Sequence, residues 1–497
     1  MSNYTAILLA VLIGYILINF VVGIYISKKR VSLQEKGGFI SHYFIGNRSM
    51  GGIVLAMTLV ATFTSASSFI GGPGIAYTKG LVWVYLSMIQ VPTAFIILAI
   101  LGKKFGMISR KIGAVTVTDY LKERYQSKTV AILASICLVI FFIAQMMSQF
   151  IGGAVLFQEI TGLSYIYGLA LFGIVVILYT AFGGFRAVVI TDTIQGIIMV
   201  LGGFIMIFTI IHVAGGTDML LAKLNTANPH WSDIAGDGAT PKAFVMSFWV
   251  LVGIGVLGLP QTAIRAMGFK DTKALHKAMI YGSLVVGFLM LVMHISGVFA
   301  PAVLTLPKGV TPDHVIPRLV LQHMHPVVAG LFIAAPLAAV MSTVSSLLLL
   351  ASAGIVKDIY HNYVMDATVK DTSSGEKKIS KLSIFTTLVV GIIVFVFTVY
   401  PPDLIVWINL FAMGGLECAF FCPIIFGLYW KKANATGAVI SMLCGVVGFL
   451  LLNQFKVSMF GTTAIVPGIL ISVLTFVVGS LVGKKTSDDT LKLFFDK

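Results

Sequence analysis

Leu59-Val60-Ala61-Thr62-Phe63-Thr64-Ser65-Ala66-Ser67-Ser68-Phe69-Ile70-Gly71-Gly72-Pro73-Gly74 decides the fold of this chain. It sits in an apolar stretch, 51–78, long enough to enter a bilayer, yet it is loaded with hydroxyls and then interrupted by Gly71-Gly72-Pro73-Gly74. A helix broken at membrane depth leaves carbonyls and amides without intrahelical partners. Hydrocarbon cannot satisfy them, so the break must face protein or a polar cavity. Discontinuous helices of this kind hold ions and substrates near the midplane of membrane transporters. The stretch predicts a transport site.

The rest of the chain supplies the membrane setting. It is 58% hydrophobic and 11% charged, with a mean hydropathy of +0.99; soluble domains are about half apolar and a quarter charged. Windows of about 20 apolar residues mark bilayer-crossing helices. Thirteen are expected, near 4–26, 51–78, 80–102, 129–157, 164–182, 188–214, 244–265, 278–301, 327–356, 382–400, 404–429, 435–453 and 461–483. The fold class is therefore an all-α membrane protein forming one polytopic domain over 1–497. The first window is too long for a signal-peptide core and lacks a small-residue cleavage site, so it reads as a retained span. Cys137, Cys418, Cys422 and Cys444 all fall in apolar windows and read as small core residues. Between spans, 215–243 carries turn signals and room for a short surface helix, and 366–381 reads as a flexible linker.

A net charge of +15 does not indicate nucleic acid here, because the cations sit in short loops between apolar windows. With the N-terminus outside, only Lys79, Lys223, Lys242, Lys308, Arg318 and Lys456 of the 34 Lys and Arg fall on the outer side. The positive-inside rule thus supports thirteen spans in a multi-pass cell-membrane protein, N-terminus outside and C-terminus cytoplasmic.

Two spans carry breaks. Span 2 has Gly71-Gly72-Pro73-Gly74; span 7 has Gly253, Gly255, Gly258 and Pro260. Each opens a set of five helices, and five is odd, so the second set enters the bilayer from the opposite side. That pattern predicts a five-plus-five inverted-repeat transporter core with a broken first helix in each repeat. The extra N-terminal helix is 4–26, the repeats are 51–214 and 244–429, and two C-terminal helices occupy 435–483. The plainer reading of the glycines is close helix packing.

Span 9 contains Ala334-Ala335-Pro336-Leu337-Ala338-Ala339-Val340-Met341-Ser342-Thr343-Val344-Ser345-Ser346. Ser342 and Thr343 place hydroxyls deep in an apolar helix, one turn after Ala339. A small hard cation takes oxygen ligands, and carbonyls freed near Ala61 and Thr64 are of that kind. Against this stands back-bonding of Ser and Thr to their own helix.

The run Tyr179-Thr180-Ala181-Phe182-Gly183-Gly184-Phe185-Arg186-Ala187-Val188-Val189-Ile190-Thr191-Asp192-Thr193-Ile194-Gln195-Gly196 resembles a signature of the sodium:solute symporter family. The end of span 9, Ser342-Thr343 through Lys357-Asp358-Ile359-Tyr360, matches as well. Within the family, Gly46-Asn47-Arg48-Ser49-Met50-Gly51-Gly52-Ile53-Val54-Leu55-Ala56-Met57-Thr58-Leu59 and the hydroxyl stretch resemble the pantothenate-carrying branch, as do 247–252 and 414–417. The resemblance implies a sodium-coupled symporter, with sodium as coupling ion, no other cofactor, and pantothenate or a similar small carboxylate as its organic partner. It places the sodium site on the carbonyls of Ala61, Thr64 and Ala339 and the hydroxyls of Ser342 and Thr343. It also associates Asp192 with the inner sodium path, where the plainer reading is a carboxylate favoured by a helix N-terminus. The proline-carrying branch has an Asp where this chain has Phe63, so that extra carboxylate is absent.

For the organic substrate the candidates are Ser67, Ser68 and Gly71 on span 2, Gln145 and Gln149 on span 4, and Pro260 and Gln261 on span 7. Gln145 and Gln149 are one turn apart and share a face. Arg265 reads as a cytoplasmic-loop cation, the alternative being contact with the substrate's carboxylate; His294 reads as a hydrogen-bonded core residue. Glu417 is the acidic residue well inside an apolar span. It is a functional candidate, though an acid repels an anionic substrate, leaving packing, gating or a protonated state. The rival functions are a channel, a symporter for another carboxylate or an amino acid, a sensor and a membrane enzyme. An enzyme would need a nucleophile–base pair or metal cluster at membrane depth, and no His/Asp/Glu grouping qualifies.

Overall fold

The computed structural model describes residues 3–31, 48–233, 240–366 and 372–496. Lys36, Lys370 and Lys497 of the charge count, and Gly46 and Asn47 of the branch-specific run, lie outside them. The described chain is helical, with eleven helices long and apolar enough to cross a membrane and two bent helix pairs that bring the number to thirteen. Span 1 is Asn3–Val22, span 3 Leu81–Lys111, span 4 Lys128–Thr161, span 5 Tyr165–Phe182, span 6 Val188–Ala214 and span 8 Thr272–Ala302. Span 9 is Pro326–Val364, span 10 Ser374–Thr398, span 11 Ile405–Tyr429, span 12 Ala435–Gln454 and span 13 Ile465–Val482. The bent pairs are span 2, Gly52–Phe63 with Ser67–Lys79 at 69°, and span 7, Lys242–Gly258 with Pro260–Met267 at 47°. Burial grades the spans by position. Span 9 is the central one, with 83% of its apolar window buried, whereas span 1 has 22%.

The break in span 2 falls earlier than its glycines suggest. The first half ends at Phe63, Thr64 adopts an extended backbone, and the helix resumes through a wide turn, Ser67–Gly71, into Gly72–Lys79. Hydroxyls cause it: Thr62 back-bonds to the Thr58 carbonyl, and the Ser68 hydroxyl accepts the Ser65 amide. Gly71–Gly74 are helical instead and serve contact. A side chain at Gly74 would strike the Pro312 backbone, and one at Gly72 would strike His294. In span 7 the break is Leu259, extended, with Pro260 opening the next helix where a missing N–H costs nothing.

Four further expectations meet the structure. The surface helix after span 6 exists, at Thr217–Ala227. The linker does not extend to 381: Thr372 caps a helix that starts at Ser373, its hydroxyl accepting the Gly375 amide. Spans 5 and 6 belong to one helical element, Tyr165–Ala214, so no helix N-terminus underlies Asp192. Finally, Arg124 and Lys357, counted as loop cations, are buried. Arg124 donates to the carbonyls of Gly427 and Trp430, and Lys357 pairs with Asp119, tying the short helix Val117–Tyr125 to spans 11 and 9 at one face. That face, where most cations lie, is termed the basic face below, and the opposite one the start face.

Candidate transport site

Five oxygens from two helices converge beside the break in span 2. Ser342 Oγ lies 2.8 Å from the Ala61 carbonyl and 3.0 Å from that of Ala339. Thr343 Oγ1 lies 3.0 Å from the Thr64 carbonyl and 2.9 Å from that of Ala339. Ala61, Thr64, Ala339 and Ser342 have no exposed surface, and Thr343 has 1%. Each hydroxyl has one proton, so the pair satisfies only two of the three carbonyls at a time. A monovalent cation among them would take lone pairs from all five at once. The cross-helix bonds from Ser342 to Ala61 and from Thr343 to Thr64 go beyond back-bonding within span 9. The set carries no carboxylate, and Phe63 stands beside it.

The far end of the break is capped from span 4. The Ala66 amide donates to Gln149 Oε1 at 2.8 Å, and Gln149 Nε2 donates to Ser148. Gln145 accepts from Gln261 Nε2 at 3.2 Å and lies 3.4 Å from the Asn409 carboxamide. Spans 4, 7 and 11 are thus linked through Gln145, Gln261 and Asn409. Pro260 lies at the start of the helix after the break, and Gly71 packs on Ile405 and Val406 of span 11.

Beyond the cage lies a central cavity of about 50 Å³, lined among others by Ser65, Ser67, Ser68, Gln90, His294 and Asn409. It holds a water or two, where a small-molecule pocket takes several hundred Å³. Ser67 and Ser68 are expected there and line it; the other expected residues, Gly71, Gln145, Gln149, Pro260 and Gln261, are not among its lining, and Gln90, Asn409 and Ser87 were not singled out. Asn409, an amide inside an apolar span, was the available signal. His294 is hydrogen-bonded to the Met290 carbonyl, as a core histidine should be, and its ring also faces this cavity. Toward the start face, Trp83 stacks edge-on against Phe248 and Trp407, at 5.1 and 5.9 Å. Past these rings a wider cavity of about 520 Å³ opens between Phe244, Phe248, Trp407, Phe411 and Asn453. The aromatic trio separates a wide outer space from a collapsed inner one.

On the basic-face side of the cage sits a buried charge network. Arg265, read from sequence as a loop cation, is 1% exposed. Its guanidinium donates to Asp192 Oδ2 at 3.2 Å, Thr62 Oγ1 at 3.1 Å and Ser346 Oγ at 2.6 Å. Asp192 Oδ2 also accepts from Thr58 at 2.7 Å, while Oδ1 has no hydrogen-bond partner. Thr58 and Thr62 lie in the half-helix that carries Ala61, and Ser346 is one turn from Ser342. The network therefore pins the same helices that form the cage. The positive-inside count treated Arg265 as a loop cation and could not show that Asp192 draws it indoors.

The segment between spans 8 and 9 closes the start face. Glu159 at the end of span 4 meets His314 at 2.6 Å and Arg318 at 3.1 Å. Asp313, 4% exposed, accepts the Ile405 amide that opens span 11, at 3.3 Å. Burial lifts its carboxyl from 3.8 to about 6, against the opposing pull of the Ile405 amide and His314.

Comparison with known proteins returns a consistent set. The sodium:solute symporter family model matches residues 43–445. The chain is 44% identical to the sodium/pantothenate symporter of Escherichia coli (strain K12), over 97% of each chain. It is 31% identical to a sodium/proline symporter of Staphylococcus aureus (strain USA300), over 95% of this chain and 92% of that one. Among solved structures, a substrate-bound, outward-open Na+-coupled sialic acid symporter superposes with a TM-score of 0.80 at 21% identity, covering 97% of this chain and 99% of that one.

Proposed function

This chain belongs to the sodium:solute symporter family, and on that premise we propose that it imports pantothenate with sodium across the cytoplasmic membrane by alternating access. The observation that carries the coupling is the convergence of five neutral oxygens on the break in span 2. The pantothenate assignment is supported by the 44% relative, whose likeness runs the length of both chains. The basic face is then cytoplasmic, with the N-terminus outside, in line with the positive-inside rule.

In this cycle sodium displaces the two hydroxyl protons from the Ala61, Thr64 and Ala339 carbonyls and holds the halves of span 2 in register. That positions Ser67 and Ser68, with Asn409 and Gln90, around the organic molecule. Gln145, Gln149 and Gln261 act behind them, fixing spans 4, 7 and 11 relative to the break. Pantothenate offers a carboxylate, an amide and hydroxyls, which suit carboxamide and hydroxyl partners. To admit it, the central cavity must widen several-fold, and the Trp83, Phe248 and Trp407 rings must part. Sodium leaves past Asp192, whose unpartnered Oδ1 is the next anionic oxygen toward the cytoplasm. The repeats 51–214 and 244–429 rock around this axis. One sodium with one monoanion moves no net charge; a second sodium adds about 2.3 kcal/mol per 100 mV.

The test is uptake of labelled pantothenate by the purified protein in proteoliposomes under an inward sodium gradient. Accumulation above the external concentration, abolished by replacing sodium with potassium and competed by unlabelled pantothenate but not proline, is the expected result. Equilibration without accumulation would instead make it a channel, and competition by proline would move it to the amino-acid branch.

A further inference from the structure

Glu417 is a buried acid that this cycle does not use. It lies in span 11 with no exposed surface, and neither carboxyl oxygen has a hydrogen-bond partner. Its carboxyl points at span 7 just before the break. A side chain added at Gly255 would collide with Glu417 Oε2, and the Val250 carbonyl oxygen borders the same point. One turn later Gly258 leaves room for the Phe421 backbone of span 11. Span 11 therefore rests directly on the irregular turns Val250–Ile254 and Gly255–Gly258.

Among the described residues, the surroundings hold no compensating charge. Span 4 presents Phe141 to the neighbouring Gly415, span 12 presents Phe449 to Gly414, and span 13 places Ser472 on the Cys418 carbonyl. The neighbouring titratable group is the Cys418 thiol on the same helix. Arg124 is bonded ten residues along span 11, at Gly427, and Asp313 twelve residues back, at Ile405; each is roughly 15 Å or more away along the helix. An ionised carboxylate so placed, without a donor, is strongly disfavoured relative to the neutral acid.

The cover that Gly255 and the Val250 carbonyl give the carboxyl exists only while span 7 lies on span 11. We infer that Glu417 is a proton-binding site, filled when the break in span 7 closes on span 11 and emptied when the two part and water reaches the carboxyl. The carboxylate takes a proton from that water path on closing and returns it on opening. The opening step rests on the alternating access proposed above; the proton site itself depends on neither sodium nor pantothenate.

Two measurements test it. In the wild-type protein, a hydrophobic carbodiimide modifies protonated carboxyls, and mass spectrometry locates the adduct. Glu417 is expected to be modified at pH 8, where an ordinary glutamate, with a pKa of about 4.3, is almost wholly ionised. Absence of the adduct at pH 8, with modification appearing only near pH 5, overturns the site. In proteoliposomes, sodium-driven uptake by the wild type should fall about fivefold from pH 6.5 to 9, while Glu417→Gln varies less than about twofold. The same pH profile in both also overturns it. If the variant fails to insert, or if neither protein shows sodium-driven uptake, the wild-type adduct decides alone, so failure of the symport reading is distinguishable from failure of this one.

Discussion

The two broken spans have the same backbone fault and opposite chemistry. In span 2 the freed carbonyls of Ala61 and Thr64 take their hydrogen bonds from another helix, through Ser342 and Thr343, and the Ala66 amide takes its partner from Gln149. In span 7 the break is satisfied from within, since Thr262 Oγ1 reaches the Leu259 carbonyl at 2.8 Å and that of Val256 at 3.3 Å. A carbonyl held by a foreign hydroxyl is available to an ion that displaces the donor. In span 7 the hydroxyl on the Leu259 and Val256 carbonyls comes from the span itself and brings in no second helix. The difference teaches that a break marks a site only when its polar groups are completed from outside. Just before its break, at Gly255, span 7 lies against the Glu417 carboxyl, an acid and not a set of neutral oxygens.

The harshest way to break the comparison is to unbalance the charge network under the first break. Arg265→Gln or Asp192→Asn alone strands a buried charge, expected to cost about 3–5 kcal/mol. The double variant should recover much of that in thermal unfolding of the detergent-solubilised protein, and additive losses would mean the two residues are not one unit. Next, Ser342→Ala combined with Thr343→Ala removes both foreign hydroxyls. The sodium concentration for half-maximal uptake should rise at least about tenfold, the equivalent of 1.4 kcal/mol. Thr262→Val, by contrast, should cost about 1 kcal/mol of stability and leave sodium dependence unchanged. A sodium shift in Thr262→Val equal to that of the double variant would erase the distinction between the breaks.

A gentler probe is Gln149→Leu, which leaves the buried Ala66 amide unpartnered. The expected loss is about 1–3 kcal/mol, read in the unfolding midpoint. A last probe concerns Asp313. Its carboxyl is raised from 3.8 to about 6 where it docks, so the docked state binds more protons than the undocked one between those values. Docking is therefore strengthened as pH falls from above 6 toward 4, and weakened as pH rises through 6. Amide exchange over 312–323 should slow about tenfold between pH 7 and pH 5 after correction for intrinsic rates. Asp313→Asn should remove that dependence.

Much of the architecture was legible because its causes are local. Each of the thirteen spans announces itself by a predominantly apolar window of about twenty residues, and each expected window coincides with a helix or bent pair. The five cage residues were also visible, since hydroxyls at membrane depth in span 9 and a hydroxyl-rich break in span 2 are both anomalies of composition. The exact seat of the break was not. Glycines drew attention to 71–74, yet those residues are helical and pack against Pro312, His294 and span 11, while Thr64 bends. Gly and Pro signal tolerance of a bend or of a close neighbour, and sequence does not say which.

What the chain determined by itself is its membrane crossing, its two interrupted helices and the supply of neutral oxygens, because hydrophobicity and backbone propensity act over a few neighbouring residues. What only the tertiary structure decided is which polar groups face one another. Asp192 finds Thr58 across 134 residues and Arg265 across 73, and Thr343 finds Thr64 across 279. The worth of a charge or carbonyl in a low-dielectric interior depends on such partners, and they are neighbours in space and not along the chain.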